Sequence, residues 1–383
     1  MSRRRGNITA RSPGSFRLRY DIGGDPVTGK RRMATTTVRG TRKDAERELT
    51  RLLRTVDTNE HVDSNRMTVG AWLAHWLDTV RAEVSPKTHE RYAEIIKSYL
   101  IPAFGKIALV KLTPAQIQKA HNVWAMNRLD GKPGGLSPRS RRHIHHILKS
   151  SLTRAIEQQA LARNPAAVLR LPKIERQEMT ILSMEQSARL LNAARPTRTY
   201  WPVLLALSTG MRRGEILALR WRNVDLDRGT LRVMESLEQI RSGIRFKAPK
   251  TDRTRAITVP AFALEELRRL KREQAEELLR AGIRQSADTL VICWENGEPK
   301  WPSSLTYDFT RLIGRLPDLP RVRFHDLRHS HATQLLLAGV HPKIAQERLG
   351  HSTIVTTLDL YSHVTETMQT DAAERLDAAW RRR

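Results

Sequence analysis

Only one of the 383 residues is a cysteine, Cys293. An intramolecular disulfide and a cysteine-rich zinc site are both excluded, which accords with a reducing compartment. Aromatic residues make up 5% of the chain, and no segment interleaves them with basic residues as a platform for stacked single-stranded bases would. If the partner is a nucleic acid, duplex DNA is favoured over RNA. No apolar run approaches the roughly 18 residues of a membrane span, and the opening MSRRRGNITA lacks the apolar stretch of a signal peptide. A soluble intracellular protein is expected. Acidic residues are scarce relative to basic ones, with 40 Asp+Glu against 67 Lys+Arg and a formal charge of +27. Such an excess points to a polyanion, most often nucleic acid.

The excess is spread along the chain. Residues 1–65 hold 15 basic against 8 acidic residues, 66–175 hold 18 against 7, and the remainder 34 against 25. A basic tail on a neutral enzyme would concentrate the charge, so each segment is expected to touch a nucleic-acid backbone. A merely solvated basic surface is the plainer alternative.

SFRLRYDI (15–22) alternates Phe16, Leu18, Tyr20 and Ile22 with Arg17, Arg19 and Asp21, the period of a half-buried strand with a basic outer face. GGDPVTGK reads as a turn and MATTTV as a second strand. TRKDAERELTRLL then opens a helix with Thr41 as N-cap, Asp44 three residues on, and Ala45, Leu49, Leu52 and Leu53 on one face. A polar stretch at about 55–66 serves as a linker. Val69, Trp72, Leu73, Trp76, Leu77 and Val80 mark the next helix, and three more begin with a hydroxyl cap followed by proline: Ser85-Pro86, Thr113-Pro114 and Ser137-Pro138. Asn164-Pro165 is expected to end the last of these four. RLPKIERQEMT (170–180) reads as a second linker. The rest is mostly helical, with strand signals at 229–234 and 254–260.

Two motifs mislead. GDPVTGKR matches the start of a phosphate-binding loop, yet Arg31 stands where a magnesium-binding Ser or Thr belongs and a strand follows rather than a helix. HDLRH (325–329) spaces two histidines as a zinc protease does, but has Asp where that motif has Glu. No metal is expected.

Four stretches carry chemistry. STGMRRGEILALRW (208–221) holds Arg212 and Arg213 after a Thr-Gly turn, then an amphipathic helix with Glu215. KAPKTDRTRAITVP places Lys250 at an apparent hairpin tip. FHDLRHSHATQLLLAG puts His325 and Arg328 on one helical face, closed by Gly339. LGHSTIVTTLDLYSH sets His351 after a helix-ending Gly350 and ten residues before Tyr361; Ile354, Leu358 and Tyr361 share a helical face. Each residue alone reads as readily as a surface charge, a cap or a core side chain. Together, two arginines, a lysine, two histidines and a tyrosine are what metal-free phosphoryl transfer requires. Guanidiniums stabilise the charge that builds on the phosphate oxygens. A phenol of ordinary pKa about 10 needs a nearby base or cation. The departing sugar oxygen needs a proton, which suits a lysine acting as general acid. One ester replaces another, so no nucleotide energy source is needed.

TGMRRGE, HDLRH and LGHSTIVTTLDLYSH resemble the arginine, His-x-x-Arg and His-to-Tyr boxes of the tyrosine recombinase (phage integrase) family. The resemblance covers nearly the whole chain. It implies Arg212 and Arg328 on the scissile phosphate, Lys250 as general acid, His325 and His351 as acid/base and hydrogen-bond partners, Glu215 in support, and Tyr361 as nucleophile. Arg213 and Lys247 remain the alternatives to Arg212 and Lys250.

The fold implied is multidomain and mainly α with small β-sheets. Residues 1–58 would form an arm-type DNA-binding domain of three strands and a helix, contacting DNA through Arg17, Arg19, Lys30 and Arg31. Residues 66–172 would form a helical core-binding domain with Lys87, Arg91, Arg139 and Arg141 toward DNA. Residues 176–383 would form a mixed α/β catalytic domain with a C-terminal tail. The expected partners are duplex DNA at core and arm attachment sites and a homotetramer joined through tail 371–383, where Ala372, Leu376 and Trp380 keep helical register. An excisionase and a host DNA-bending protein are further partners of such integrases. No cofactor and no membrane are implied, and the setting is the cytoplasm and nucleoid of a bacterial host. A type IB topoisomerase is the rival enzyme and a non-catalytic DNA-binding protein the rival class.

Overall fold

The computed structural model describes residues 6–24, 31–57, 67–128, 133–174, 179–248 and 254–358, with 373–374, 376–377 and 380–381 beyond them. They fall into two compact units, Met1–Glu175 and Arg176–Arg383. No helix among the described residues is long and apolar enough to cross a membrane.

The first unit opens with β1 (Gly6–Ser12), β2 (Ser15–Gly24) and β3 (Arg31–Arg39), an antiparallel sheet in that order. The alternation expected of β2 is present: Leu18 and Tyr20 are buried while Arg17 and Arg19 are exposed. Asp21 departs from it. A register shift between Asp21 and Gly23 interrupts the pleat, Asp21 is buried, and its Oδ1 accepts the Gly23 N–H at 2.9 Å. β1 carried no separate signal in the sequence, because Ile8 is its only large apolar side chain. α1 (Arg42–Asp57) starts at the expected cap, where the Asp44 carboxylate accepts from the Thr41 hydroxyl at 2.7 Å and the Thr41 N–H at 2.9 Å.

The helical part comprises α2 (Val69–Thr79), α3 (Pro86–Ile95), α4 (Ile101–Phe104), α5 (Pro114–Met126) and α6 (Pro138–Glu157). Ser85, Thr113 and Ser137 cap their helices as expected, each side chain accepting the N–H three residues on. Trp72, Trp76, Phe104, Trp124, Ile147 and Leu148 form the core, and the Trp72 indole donates to the Ser151 carbonyl at 3.0 Å. α4 is an addition, reached from α3 through a π-helical turn at Ile96–Leu100. α6 ends at Glu157, well before Asn164-Pro165. Gln159 adopts a left-handed conformation (φ 57°), and the N–H groups of Ala160 and Leu161 fold back onto the Ala155 carbonyl. Asn164 instead braces the helix from outside, donating to Lys149 O at 2.9 Å.

The second unit contains α7 (Met184–Ala194), α8 (Tyr200–Thr209), α9 (Arg213–Ala218), β4 (Val224–Asp225), β5 (Thr230–Val233), β6 (Ser236–Ile240), β7 (Gly243–Lys247), β8 (Arg255–Thr258), α10 (Ala261–Arg280), α11 (Pro302–Gly314), α12 (Asp326–Leu337), α13 (Pro342–Leu349) and α14 (Ile354–Leu358). β4-β5-β8 form one antiparallel sheet and β6-β7 a separate hairpin. The strand signals at 229–234 and 254–260 correspond to β5 and β8. α8 is apolar nearly all round and lies inside, with Val203, Leu204, Leu205 and Ala206 at 1% exposure or less. Burying each large side chain of this kind contributes about 1.5–3 kcal/mol, so the chain leaves α8 from a fixed point.

Two expectations fail in this unit. α9 is not amphipathic: Glu215, Ile216, Leu217 and Ala218 are all buried, and partial exposure is confined to Arg213 and Gly214 at its start. The shared face of α14 is expected to pack through Ile354 and Leu358 so as to hold Tyr361 at its end; both are only partly covered, at 37% and 44% exposure.

Candidate active site

Helix α13 ends at Leu349, and Gly350 caps it in the left-handed conformation (φ 65°). The last carbonyls of a helix have no partner within it and form its negative pole. Here three consecutive ones each receive a different guanidinium. Arg348 O accepts from Arg255 Nε at 2.8 Å, Leu349 O from Arg328 Nη2 at 2.6 Å, and Gly350 O from Arg212 Nη2 at 3.0 Å.

Arg328 comes from the first turn of α12 and is 2% exposed; its Nη1 donates to Gly210 O at 2.7 Å. Burial and the neighbouring Arg212 charge push its pKa down to about 9, which still leaves it cationic at neutral pH. Arg212 is the cap residue of α9, placed by the left-handed Gly210 that ends α8. Between Arg212 and Arg255 lies the buried Glu215. Its carboxylate accepts from Arg212 N at 2.9 Å, Arg212 Nη1 at 2.8 Å, and Arg255 Nη1 and Nη2 at 3.1 and 2.7 Å. Burial pushes the Glu215 pKa up, but the two bonds and charge of Arg255, with those of Arg212, prevail and hold it at about 2.

Two imidazoles complete the cluster. His325 stands just before α12 with its ring 5.0 Å from that of His329. Desolvation, then the charges of His329, Arg328 and Arg212, lower its pKa to about 4. His325 is open to solvent, and the positive charges around it keep the shift downward. His351 follows Gly350 and is half-buried; desolvation, then Arg328, Arg212, His329 and Arg255, lower its pKa to about 3. Both rings are therefore neutral at pH 7, ready to accept a proton or donate a hydrogen bond. A bound phosphate, being anionic, would raise both pKa values.

Arg212, Glu215, His325, Arg328 and His351 are thus brought together. Lys250 and Tyr361 lie outside the described residues, as does Lys30. The alternatives stand elsewhere: Arg213 donates to the Thr306 hydroxyl of α11, and Lys247 pairs with Glu238 at 2.6 Å across the β6-β7 hairpin. Arg17 and Arg19 are exposed on β2, and Arg31 opens β3. Lys87 and Arg139 are exposed at the starts of α3 and α6 and Arg91 is exposed midway along α3, while Arg141 is half-buried.

Sequence reasoning missed Arg255 and Arg348. The signal for Arg255 was present, since in RAIT the strand period puts Arg255 on the same inward face as the buried Ile257. Arg348 donates to Thr258 O, Ser208 O and His331 Nε2 at 2.9, 2.9 and 3.2 Å. Because that Nε can only donate, His331 accepts there and its Nδ1–H donates to Leu207 O at 2.7 Å. No sequence spacing announces this network.

Fixed guanidiniums beside neutral imidazoles define a site for stabilising charge on a phosphodiester in transfer. Residues 180–368 match the phage integrase family, and residues 68–125 match the N-terminal SAM-like domain of phage integrases. The chain is 28% identical over 361 residues to a tyrosine recombinase XerC-like protein of Caldanaerobacter subterraneus, covering 88% of this chain and 90% of that one. It is 28% identical over 373 residues to the ICEBs1 integrase of Bacillus subtilis, covering 95% and 97%. Among solved structures, the Tn1549 transposon integrase in complex with a circular intermediate DNA has the same fold, with TM-score 0.68 at 22% identity over 81% of this chain and 99% of that one. The lambda integrase tetramer bound to a Holliday junction gives 0.59 at 21%, over 91% and 96%. The chain belongs to the phage integrase family of tyrosine recombinases.

Proposed function

We propose that this protein is a site-specific DNA recombinase that integrates or excises a mobile element. The Tyr361 phenol attacks the scissile phosphate; the bond to the 5′-oxygen breaks as the phosphotyrosine bond forms, leaving the strand as a 3′-phosphotyrosine. Lys250 protonates the departing 5′-oxygen, and His325 and His351 take up or relay the phenol proton. Arg212 and Arg328 hold the non-bridging oxygens, and Glu215 keeps Arg212 in place. The reverse attack by a 5′-hydroxyl from another duplex completes the exchange with no net change in ester bonds.

The observation that carries this reading is the convergence of Arg212 and Arg328 on adjacent carbonyls of α13, beside His325 and His351. We assign residues 1–58 to arm-site binding, 66–172 to core-site binding and 176–383 to catalysis. The exposed Leu376 and Trp380 of the C-terminal tail, 62% and 69% accessible, support docking on a neighbouring subunit in a tetramer on DNA. The likeness to integrases of mobile elements supports an excisionase and a host DNA-bending protein as partners and the bacterial nucleoid as the place of action.

A nicked suicide duplex carrying the end sequence of the encoding element tests the proposal. Wild type is expected to trap a covalent adduct, whereas Tyr361→Phe binds equally and traps none. Equal binding with no adduct from wild type supports a DNA-binding protein instead. Relaxation of a single plasmid without exchange between two sites supports a topoisomerase.

A further inference from the structure

Arg255 is the guanidinium for which the transfer chemistry has no use, yet it is the most heavily engaged of the three on α13. All three of its nitrogens are committed: Nη1 and Nη2 clasp Glu215, and Nε donates to Arg348 O. Its side chain is 10% exposed, against 30% for Arg212, and with every nitrogen bonded to protein Arg255 has no donor group left over for a phosphate. Its strand, β8, pairs with β5 and is tied to α13 a second time through the Arg348 bond to Thr258 O. Gly350 leaves room for it: a Cβ there would lie 3.1 Å from Arg255 Cδ.

We propose that Arg255 is a positioning residue of the strand-transfer site, a rigid clamp between Glu215 and the C-terminus of α13 that sets where Arg212 and Arg328 stand. This rests on the strand-transfer reading above and deepens it. Glu215 grips Arg212 at both its backbone and its guanidinium, and the α13 carbonyls grip Arg212 and Arg328 from the other side. Arg255 is the side chain that joins these two grips. A planar fork with a third donor at right reach can do this; a lysine ammonium cannot bond two carboxylate oxygens and a carbonyl in fixed geometry.

The consequence for protonation distinguishes positioning from bulk support. Glu215 is faced by Arg212 from the start of α9, Arg255 from β8 and Arg328 from α12, with His351 coupled to all three arginines. Arg255 supplies the largest influences that keep this buried carboxyl ionised. Without Arg255, burial is opposed by Arg212 alone, the carboxyl protonates at higher pH than in wild type, and protonation weakens its hold on Arg212.

The test compares wild type, Arg255→Lys, Arg255→Met and the double variant Arg255→Met/Glu215→Gln on the same nicked duplex, measuring adduct formation in single turnover from pH 5 to 9 alongside duplex affinity. Both Arg255 variants are expected to bind the duplex as wild type does and to cleave up to roughly 10²-fold more slowly, the scale of displacing a reacting group by about 1 Å. Wild-type Glu215, held at about 2, stays ionised across this range, so the Arg255→Met rate should fall off in acid where the wild-type rate does not, and the double variant should lose that difference. Arg255→Lys keeps charge and bulk, so it carries the test where Arg255→Met fails to fold. Arg255→Lys cleaving at the wild-type rate overturns the clamp, as does an Arg255→Met rate that falls off in acid no more than that of wild type. A wild type that forms no adduct overturns the strand-transfer reading itself, a different failure from that of a variant beside an active wild type.

Discussion

Replacing Glu215 with Gln removes one charge from the centre of the arginine cluster while keeping shape and volume. Holding the carboxyl at about 2 against an ordinary 4.5 is worth on the order of 3 kcal/mol, at 1.36 kcal/mol per unit. Removing one partner of a buried ion pair costs about 3–5 kcal/mol, a similar amount, by leaving the other unanswered. Here Arg255 and Arg328, both nearly buried, would be left facing Arg212 with no counter-ion. For a unit of this size each kcal/mol moves the melting temperature by about 2–4 °C, so the variant should melt roughly 6–12 °C lower at pH 7. The pH dependence has a fixed sign. A carboxyl whose folded pKa is depressed stabilises the fold above its unfolded pKa, and that contribution is lost as pH falls toward the folded value. The gap between wild type and variant should therefore be full at pH 7 and 5.5 and shrink below about pH 4.5. Thermal unfolding followed by circular dichroism measures it. A gap under about 2 °C at pH 7, or one that does not narrow in acid, would refute the assignment of Glu215 as the counter-ion of the cluster.

Arg328→Lys should keep a cation but lose the fork that spans Gly210 O and Leu349 O; single-turnover cleavage should fall about 10²–10³-fold with little change in duplex affinity, and unchanged cleavage would remove Arg328 from the site. Gly350→Ala should cost about 1–2 kcal/mol from the left-handed backbone alone and slow cleavage by crowding Arg255; a variant as stable and active as wild type would show that the α13 cap is not a template. Burial, then Arg348, lowers His331 to about 4, so the unfolded chain takes up its proton first on acidification. Between about pH 6.5 and 4 this withdraws on the order of 3 kcal/mol of stability, and His331→Leu should show a flatter decline of melting temperature over that range than wild type.

The sequence made legible whatever local rules write down. Ser85-Pro86, Thr113-Pro114 and Ser137-Pro138 announced three helix starts because cap chemistry is confined to four residues. The alternation of Leu18 and Tyr20 with Arg17 and Arg19 announced β2 for the same reason. Five cluster residues were found from short boxes around glycines and helix starts. The clamp that orders them was not, since Arg255 and Glu215 are 40 residues apart and Arg328 meets Gly210 across 118. The α6 terminus was misplaced because Gln159, an unremarkable residue in sequence, takes the left-handed turn ahead of the proline. In α14 the period of Ile354 and Leu358 separates faces without saying how far either is covered, and both stay partly open at 37% and 44% exposure.

The central claim is that this cluster serves a tyrosine nucleophile at position 361. Mapping the covalent adduct tests it most directly: wild-type protein trapped on the nicked duplex, digested with protease and nuclease, and read by mass spectrometry. The account predicts a single peptide containing Tyr361 joined through its phenol to the 3′-phosphate of a nucleotide. Modification at another residue, such as the exposed Tyr307, or a free 3′-phosphate with no protein attached, would contradict it.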